Sequence, residues 1–217
     1  MIVTKLEFNI NTLKEYAVRM VEKCEEAVSL SVNSLVDQDL DCAKKVIKLD
    51  EDIDTLREYI RDRSIELMVL KQPMARDLRE IYALSNIAIE LERIGDYAEN
   101  IAEETLAIGN EEHIINLDEI LKMSNVCLSM LSDIKKSLIE CDEKLAYDIA
   151  TRDDVIDKAY EESRKKYISK MCESSNHVDQ GTRFLFVGRY LERIGDHITN
   201  ICEKIIYVAN GKMIEIQ

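Results

Sequence analysis

Proline occurs once in this 217-residue chain, at Pro73, glycine occurs six times, and tryptophan is absent. Sheets turn every few residues, and their turns draw on Gly, Pro and Asn. So few of the first two exclude an all-β fold and disfavour a βα-alternating one. Long apolar runs are missing as well, and none approaches the ~18 residues that a membrane span requires. Met1 to Asn9 carries Glu7 and no cationic flank leading into an apolar stretch, so no signal peptide is expected. The six cysteines, Cys24, Cys42, Cys127, Cys141, Cys172 and Cys202, form no C-x-x-C pair. They read as reduced core or boundary thiols of a cytosolic protein.

Cations are also in short supply. Lys and Arg total 29 against 43 Asp and Glu, a net charge of −14. Neutralising many phosphates requires a surplus of cations, so nucleic acid is a poor partner and an anionic bilayer is disfavoured. The three histidines, His113, His177 and His197, share no metal-ligand spacing, and no E-x-x-H occurs, which removes the ferritin-like di-iron pattern. No Gly-rich phosphate loop, G-x-S-x-G or Cys/His nucleophile arrangement appears, so no catalytic residues are assigned. With 46% hydrophobic and 33% charged residues, the chain reads as a few long helices joined by short connections.

What the sequence does contain is a repeat. Leu91-Glu92-Arg93-Ile94-Gly95-Asp96 recurs unchanged as Leu191-Glu192-Arg193-Ile194-Gly195-Asp196, 100 positions on, and Asn100-Ile101 matches Asn200-Ile201. Upstream the offset is 103: Asp50 to Asp54 aligns with Asp153 to Asp157, Met20 with Met123, and Cys24 with Cys127. The chain is therefore a tandem duplication whose first copy is three residues longer, the surplus falling near Gln72-Pro73. Each copy shows three helical patterns. In the third, Leu84, Ile87, Leu91, Ile94, Ala98, Ile101, Thr105 and Ile108 alternate steps of three and four, as do Phe184, Val187, Leu191, Ile194, Ile198, Ile201, Ile205 and Val208. Such seams specify long helices packed at shallow angles. Gly109 and Gly211 follow the seams as helix ends.

The middle pattern of copy one is Leu49, Ile53, Leu56, Ile60, Leu67 and Leu70, and Pro73 stops it. The first helix is expected from Thr4 or Asn11 to Val36, with Asp37-Gln38-Asp39 turning the chain and Glu140-Cys141-Asp142 doing so in copy two. The expected architecture is all-α, a tandem pair of antiparallel three-helix bundles over residues 1–110 and 111–217.

Two acidic stripes run along each copy. Glu92, Asp96, Asn100 and Glu103 span a wedge of about 80° on the third helix, and Glu192, Asp196, Asn200 and Glu203 repeat it. The middle helices carry Asp50, Asp54 and Glu58, matched by Asp153, Asp157 and Glu161, with Glu51 and Asp154 flanking. Like charges one turn apart destabilise a helix by a few tenths of a kcal/mol, yet here they recur on two helices in both copies. Paired hard oxygens suit a di- or trivalent cation, which turns the repulsion into attraction. By heptad position the stripes are expected to face outward. Gly95 and Gly195, inside helices at a cost of about 1 kcal/mol relative to alanine, are expected to admit either a neighbouring helix or a ligand.

The duplicated Leu-Glu-Arg-Ile-Gly-Asp motifs, each with Asn-Ile four residues on, resemble the PhoU family. So do the Gln72-Pro73 turn and the Asp-rich starts of the middle helices, and the resemblance covers essentially the whole chain. It implies two three-helix bundles related by a pseudo-twofold axis, often dimerised. It further implies a cytosolic accessory protein of high-affinity phosphate uptake that contacts the transporter's ATPase subunit and a sensor histidine kinase. Such proteins restrain uptake and starvation signalling when phosphate is plentiful. Members bind iron or zinc, or magnesium and manganese, at E(D)-x-x-x-D motifs. By position these are Asp50/Asp54 and Glu92/Asp96, with Asp153/Asp157 and Glu192/Asp196 in the second copy, while Asn100 and Asn200 match the family's recurrent asparagine. Copy two departs from the pattern in having Ser174-Ser175-Asn176-His177 where copy one has its proline turn. A carboxylate-bridged metalloenzyme and a metal-free helical scaffold are the alternative readings.

Overall fold

The structure is a computed structural model that describes residues 5–216. Seven α-helices make it up: α1 (Lys5–Asp37), α2 (Leu40–Lys71), α3 (Ala75–Ile108), α4 (Asp118–Glu140), α5 (Glu143–Ala150), α6 (Asp153–Glu173) and α7 (Val178–Asn210). Thr4, one of the two expected starts of the first helix, lies outside the described residues, and α1 is helical from well before Asn11. All sixteen seam residues expected on α3 and α7 are buried.

The caps are where the sequence places them. The Asp39 carboxylate accepts from the N–H groups of Asp41 and Cys42 at 3.1 and 2.9 Å, and Asp142 accepts from Lys144 and Leu145 at 3.0 Å each. These bonds satisfy donors that the first turn of a helix leaves orphaned. Pro73 follows Gln72, whose left-handed backbone ends α2, and Gly211 ends α7 with φ of 76°. The surplus of copy one becomes added helix. α3 begins sixteen residues before Leu91, whereas α7 begins thirteen before Leu191, after a 3₁₀ turn at Ser175–His177.

One expectation is refined. The middle limb of copy two is broken into α5 and α6 at Thr151 and Arg152. Short i+3 bonds tighten the backbone there, from Arg152 N–H to Ile149 and from Val155 N–H to Arg152, both at 3.0 Å. The Arg152 guanidinium turns towards α4, 2.9 Å from Ser129 Oγ and 2.7 Å from Asp133. The corresponding position in the unbroken α2 is the apolar, half-buried Leu49.

α3 and α7 pack antiparallel at the centre, Tyr97 stacking on Tyr190 and Arg183 pairing with Glu104 at 3.0 Å. α1 and α4 join the halves on the other side, with Lys135 to Glu25 at 2.5 Å. α2 lies outside against α1 and α3, and α6 against α4 and α7. This peripheral place explains the composition of α2, which buries an apolar seam of Val46, Ile53, Ile60 and Leu67, one residue every seven. The rest of its surface is free to be charged. Leu70, expected in that seam, is instead exposed beyond its end. One apolar core runs through both halves, and each fully buried Leu or Ile in it contributes roughly 1.5–3 kcal/mol.

Replacing Asp39 or Asp142 by alanine should lower the free energy of unfolding by about 1 kcal/mol each. Denaturant unfolding measures this, and a loss below a few tenths would mean that these carboxylates do not cap their helices.

Candidate metal centre

The duplicated six-residue motif can be read one side chain at a time. Leu91 and Ile94 occupy the buried seam, as do Leu191 and Ile194. Arg93 is exposed and pairs with Asp96 one turn on at 2.9 Å, and Arg193 pairs with Asp196 at 3.3 Å. Glu92 is only 8% exposed, so the outward orientation expected of the stripe does not hold for it. The α2–α3 packing closes over this position, and Arg57 of α2 meets its carboxylate at 3.1 Å. In copy two Tyr160 stands where Arg57 would, and Arg189 from α7 itself pairs with Glu192. Both glutamates are thus held by arginines recruited from different places.

The glycines are explained by the middle helices. A Cβ on Gly95 would sit 2.7 Å from Asp50 Oδ1 and 3.0 Å from Ile53, and one on Gly195 would come closer still to Asp153 Oδ1. The two open possibilities are thereby resolved in favour of the neighbouring helix. Each glycine is a notch that seats an aspartate from the middle helix against the backbone of the third.

Once seated, Asp50 Oδ1 and Asp153 Oδ1 are buried without a hydrogen-bond partner, as is Glu192 Oε2. Burial pushes the Asp50 carboxyl up to about 7, reinforced by the negative charges of Glu99, Asp96, Asp54 and Glu92. Burial likewise raises Asp153 to about 7, with Asp157, Asp196, Glu192 and Asp154 adding to it. Asp96, Glu99, Asp157 and Glu192 are raised by burial and neighbouring carboxylates in the same way. Each set of four expected ligands is therefore brought into mutual electrostatic reach: Asp50, Asp54, Glu92 and Asp96 in one half, Asp153, Asp157, Glu192 and Asp196 in the other.

The accessory residues divide. Asp154 joins the second set, Glu51 and Glu58 are exposed outside the first, and Glu103, also exposed, reaches the first through Glu99, whose carboxyl its charge helps to raise. Glu161 is exposed and pairs with Arg164 at 2.9 Å. Asn200 donates to Glu90 of α3 at 3.0 Å, beside the His197–Glu90 pair at 2.7 Å, and so belongs to the junction between the halves. Glu203 accepts from the Ile216 N–H at 2.9 Å, and Asn100 is half-buried. Glu99 was not among the expected residues. Its signal was its place three residues after Asp96 on the same face, but Thr199 replaces it in copy two, so a search for repeated acids passes over it.

The residues fit a cation in their chemistry. The donors are hard oxygens, and the buried orphan atoms are acceptors that a positive ion could satisfy. Among the described residues, no three His, Cys, Asp or Glu side chains are grouped closely enough to hold a metal ion as they stand.

The PhoU domain profile matches residues 17–105 and 120–205. A phosphate-specific transport system accessory protein PhoU homolog of Clostridium acetobutylicum is 35% identical over 211 residues, covering 97% of this chain and 96% of the relative. The homolog of Aquifex aeolicus is 33% identical, covering 98% and 96%. The crystal structure of the phosphate transport system regulatory protein PhoU from Streptococcus pneumoniae superposes with a TM-score of 0.91 at 26% identity, covering 98% of this chain and all of that one. PhoU from Pseudomonas aeruginosa gives 0.92 at 27% identity, covering 96% of this chain and 100% of that one.

The raised carboxyls fix the sign of a pH dependence. Between about pH 4 and 7 folded Asp50 and Asp153 retain protons that the unfolded chain has released, so without metal stability should fall as pH rises through that window. Asp50→Asn with Asp153→Asn should flatten this slope in denaturation midpoints. Equal slopes in the variant and the parent would refute the assignment.

Proposed function

The chain belongs to the PhoU family, and on that premise we propose that it is a cytosolic, non-enzymatic regulator of phosphate homeostasis. It acts as an accessory and negative regulator of the high-affinity phosphate transporter and of phosphate-starvation two-component signalling. Its partners in this reading are the transporter's ATPase subunit and the phosphate sensor histidine kinase. It works as a homodimer whose two bundles per chain are residues 1–110 and 111–217. The relationship spans nearly the full length of both this chain and its named relatives, which supports the regulator reading over a scaffold of unrelated role. No described helix is long and apolar enough to cross a membrane.

The single observation that carries metal binding is the duplicated buried, partnerless aspartate oxygen at Gly95 and Gly195. Asp50, Asp54, Glu92 and Asp96 would hold one site, and Asp153, Asp157, Glu192 and Asp196 the other. Iron or zinc, with magnesium or manganese as further choices, would supply positive charge that neutralises these carboxylates. The chain's own residues do the rest. Arg93 and Arg193 keep Asp96 and Asp196 on the outer side, while Arg57 and Arg189 prevent Glu92 and Glu192 from being buried as uncompensated charges. The packing of α2 on α3, and of α6 on α7, thereby becomes sensitive to the charge state of the seam between them.

Deleting the gene should leave phosphate-starvation genes switched on at high phosphate, and the parent gene should silence them. A gene carrying Glu92→Gln, Asp96→Asn, Glu192→Gln and Asp196→Asn should fail to do so, while its product keeps full helicity but takes up no metal. Unaltered phosphate responses in the deletion strain would defeat the regulator reading. Undiminished metal content would defeat the site alone.

A further inference from the structure

Duplication provides an internal control, because positions related by it share a fold and differ only where their surroundings ask different things of them. The bundle ends formed by the α2–α3 and α6–α7 turns differ sharply. At the first, Val69, Leu70 and Met74 are 69%, 64% and 79% exposed, with Phe8 and Ile65 also exposed beside them. The positions matching Val69, Leu70 and Phe8 in the second half are Cys172, Glu173 and Glu111, all exposed. Ile168 and Val178 at the second tip are exposed too, at 44% and 47%, but the first tip carries more large apolar side chains and exposes them further, which is costly unless something covers them. The extra helical residues of α3 lie at this end, so the first tip also projects further, by roughly 4.5 Å for three residues of helix.

Charge shows what covers it. Between Leu70 and Arg79 there are three cations, Lys71, Arg76 and Arg79, and one anion, Asp77, in a chain whose net charge is −14. Lys71 and Arg76 are exposed and unpaired among the described residues. The flanking Glu66 is bound to Arg63, and Glu80 to Lys14 at 2.5 Å, which removes their charge from the tip. A second copy is a poor occupant, since tip-to-tip contact would bring the unpaired cations of both copies together. The apolar side chains crown the end of a bundle where the chain turns, instead of lining a groove between helices, which suits a flat partner better than an inserted helix.

We propose that this tip docks end-on against an anionic lipid surface. Val69, Leu70 and Met74 enter the boundary between headgroups and acyl chains, and Lys71 and Arg76 remain among the headgroup phosphates. The −14 total, which argues against an anionic bilayer for the chain as a whole, then has an orienting effect. Repulsion of the acidic remainder holds the molecule upright on this basic-apolar end. The inference is independent of the metal sites.

The test is flotation of the full chain with vesicles of phosphatidylcholine alone and with roughly a third phosphatidylglycerol. Binding is expected only to the anionic vesicles and should weaken as salt is raised. Lys71→Gln with Arg76→Gln should reduce partitioning about 25-fold, each cation near the surface being worth about five-fold. Val69→Ser, Leu70→Ser and Met74→Ser together should abolish binding without lowering the melting temperature, since all three side chains are already in water. Ile168→Ser with Val178→Ser, at the opposite tip, should leave binding unchanged. No binding to anionic vesicles, equal binding to neutral ones, or binding indifferent to the tip substitutions would overturn the proposal. So would a triple serine variant that converts a dimer to a monomer in the absence of lipid, because a second copy would then be the occupant.

Discussion

The rest of the structure turns on the seating of one aspartate from each middle helix against a glycine of each third helix. Asp50 meets the backbone at Gly95, and Asp153 meets it at Gly195, at positions where no other residue leaves room. A glycine inside a helix costs about 1 kcal/mol, a buried acceptor without a partner costs more, and clustered like charges add to both. These costs recur in both halves. A stability-driven fold would remove them with a smaller uncharged residue facing an alanine, so the arrangement is better understood as a place kept ready for positive charge.

The two halves solve the same electrostatic problem differently, which identifies the parts that are constrained. The aspartate, the glycine notch and the glutamate coincide by position. The arginine that meets the glutamate does not: it comes from α2 in one half and from α7 in the other. Glu99 adds a further carboxylate near Asp50, whereas Thr199 adds none near Asp153. Asp154 supplies the fifth carboxylate of the second site, so the two sites are equal in carboxylate number and differ in which position provides the fifth.

Much of this was legible in the sequence, and the exceptions have physical reasons. The seams of α3 and α7, the capping aspartates, the stop before Pro73 and the glycine ends follow from local patterns that tertiary packing did not override. The break at Thr151–Arg152 was not legible, because both residues are ordinary in helices and the tightening depends on Arg152 reaching Ser129 and Asp133 of another helix. The burial of Glu92 was hidden for a related reason. Heptad position describes one face of one helix, while α2 covers the flank of α3 where that residue lies. Leu70 fitted the α2 rhythm but lies past the end of its neighbours, where periodicity continues and packing does not.

Both seats turn on the protonation of one carboxyl group each, and carbon-detected NMR of labelled Asp50 and Asp153 side chains reads it. Midpoints near 7 are expected for both in metal-free protein, moving well downward when magnesium or zinc is added. Midpoints in the ordinary aspartate range near 4 without metal would contradict that expectation, as would midpoints that metal leaves unmoved.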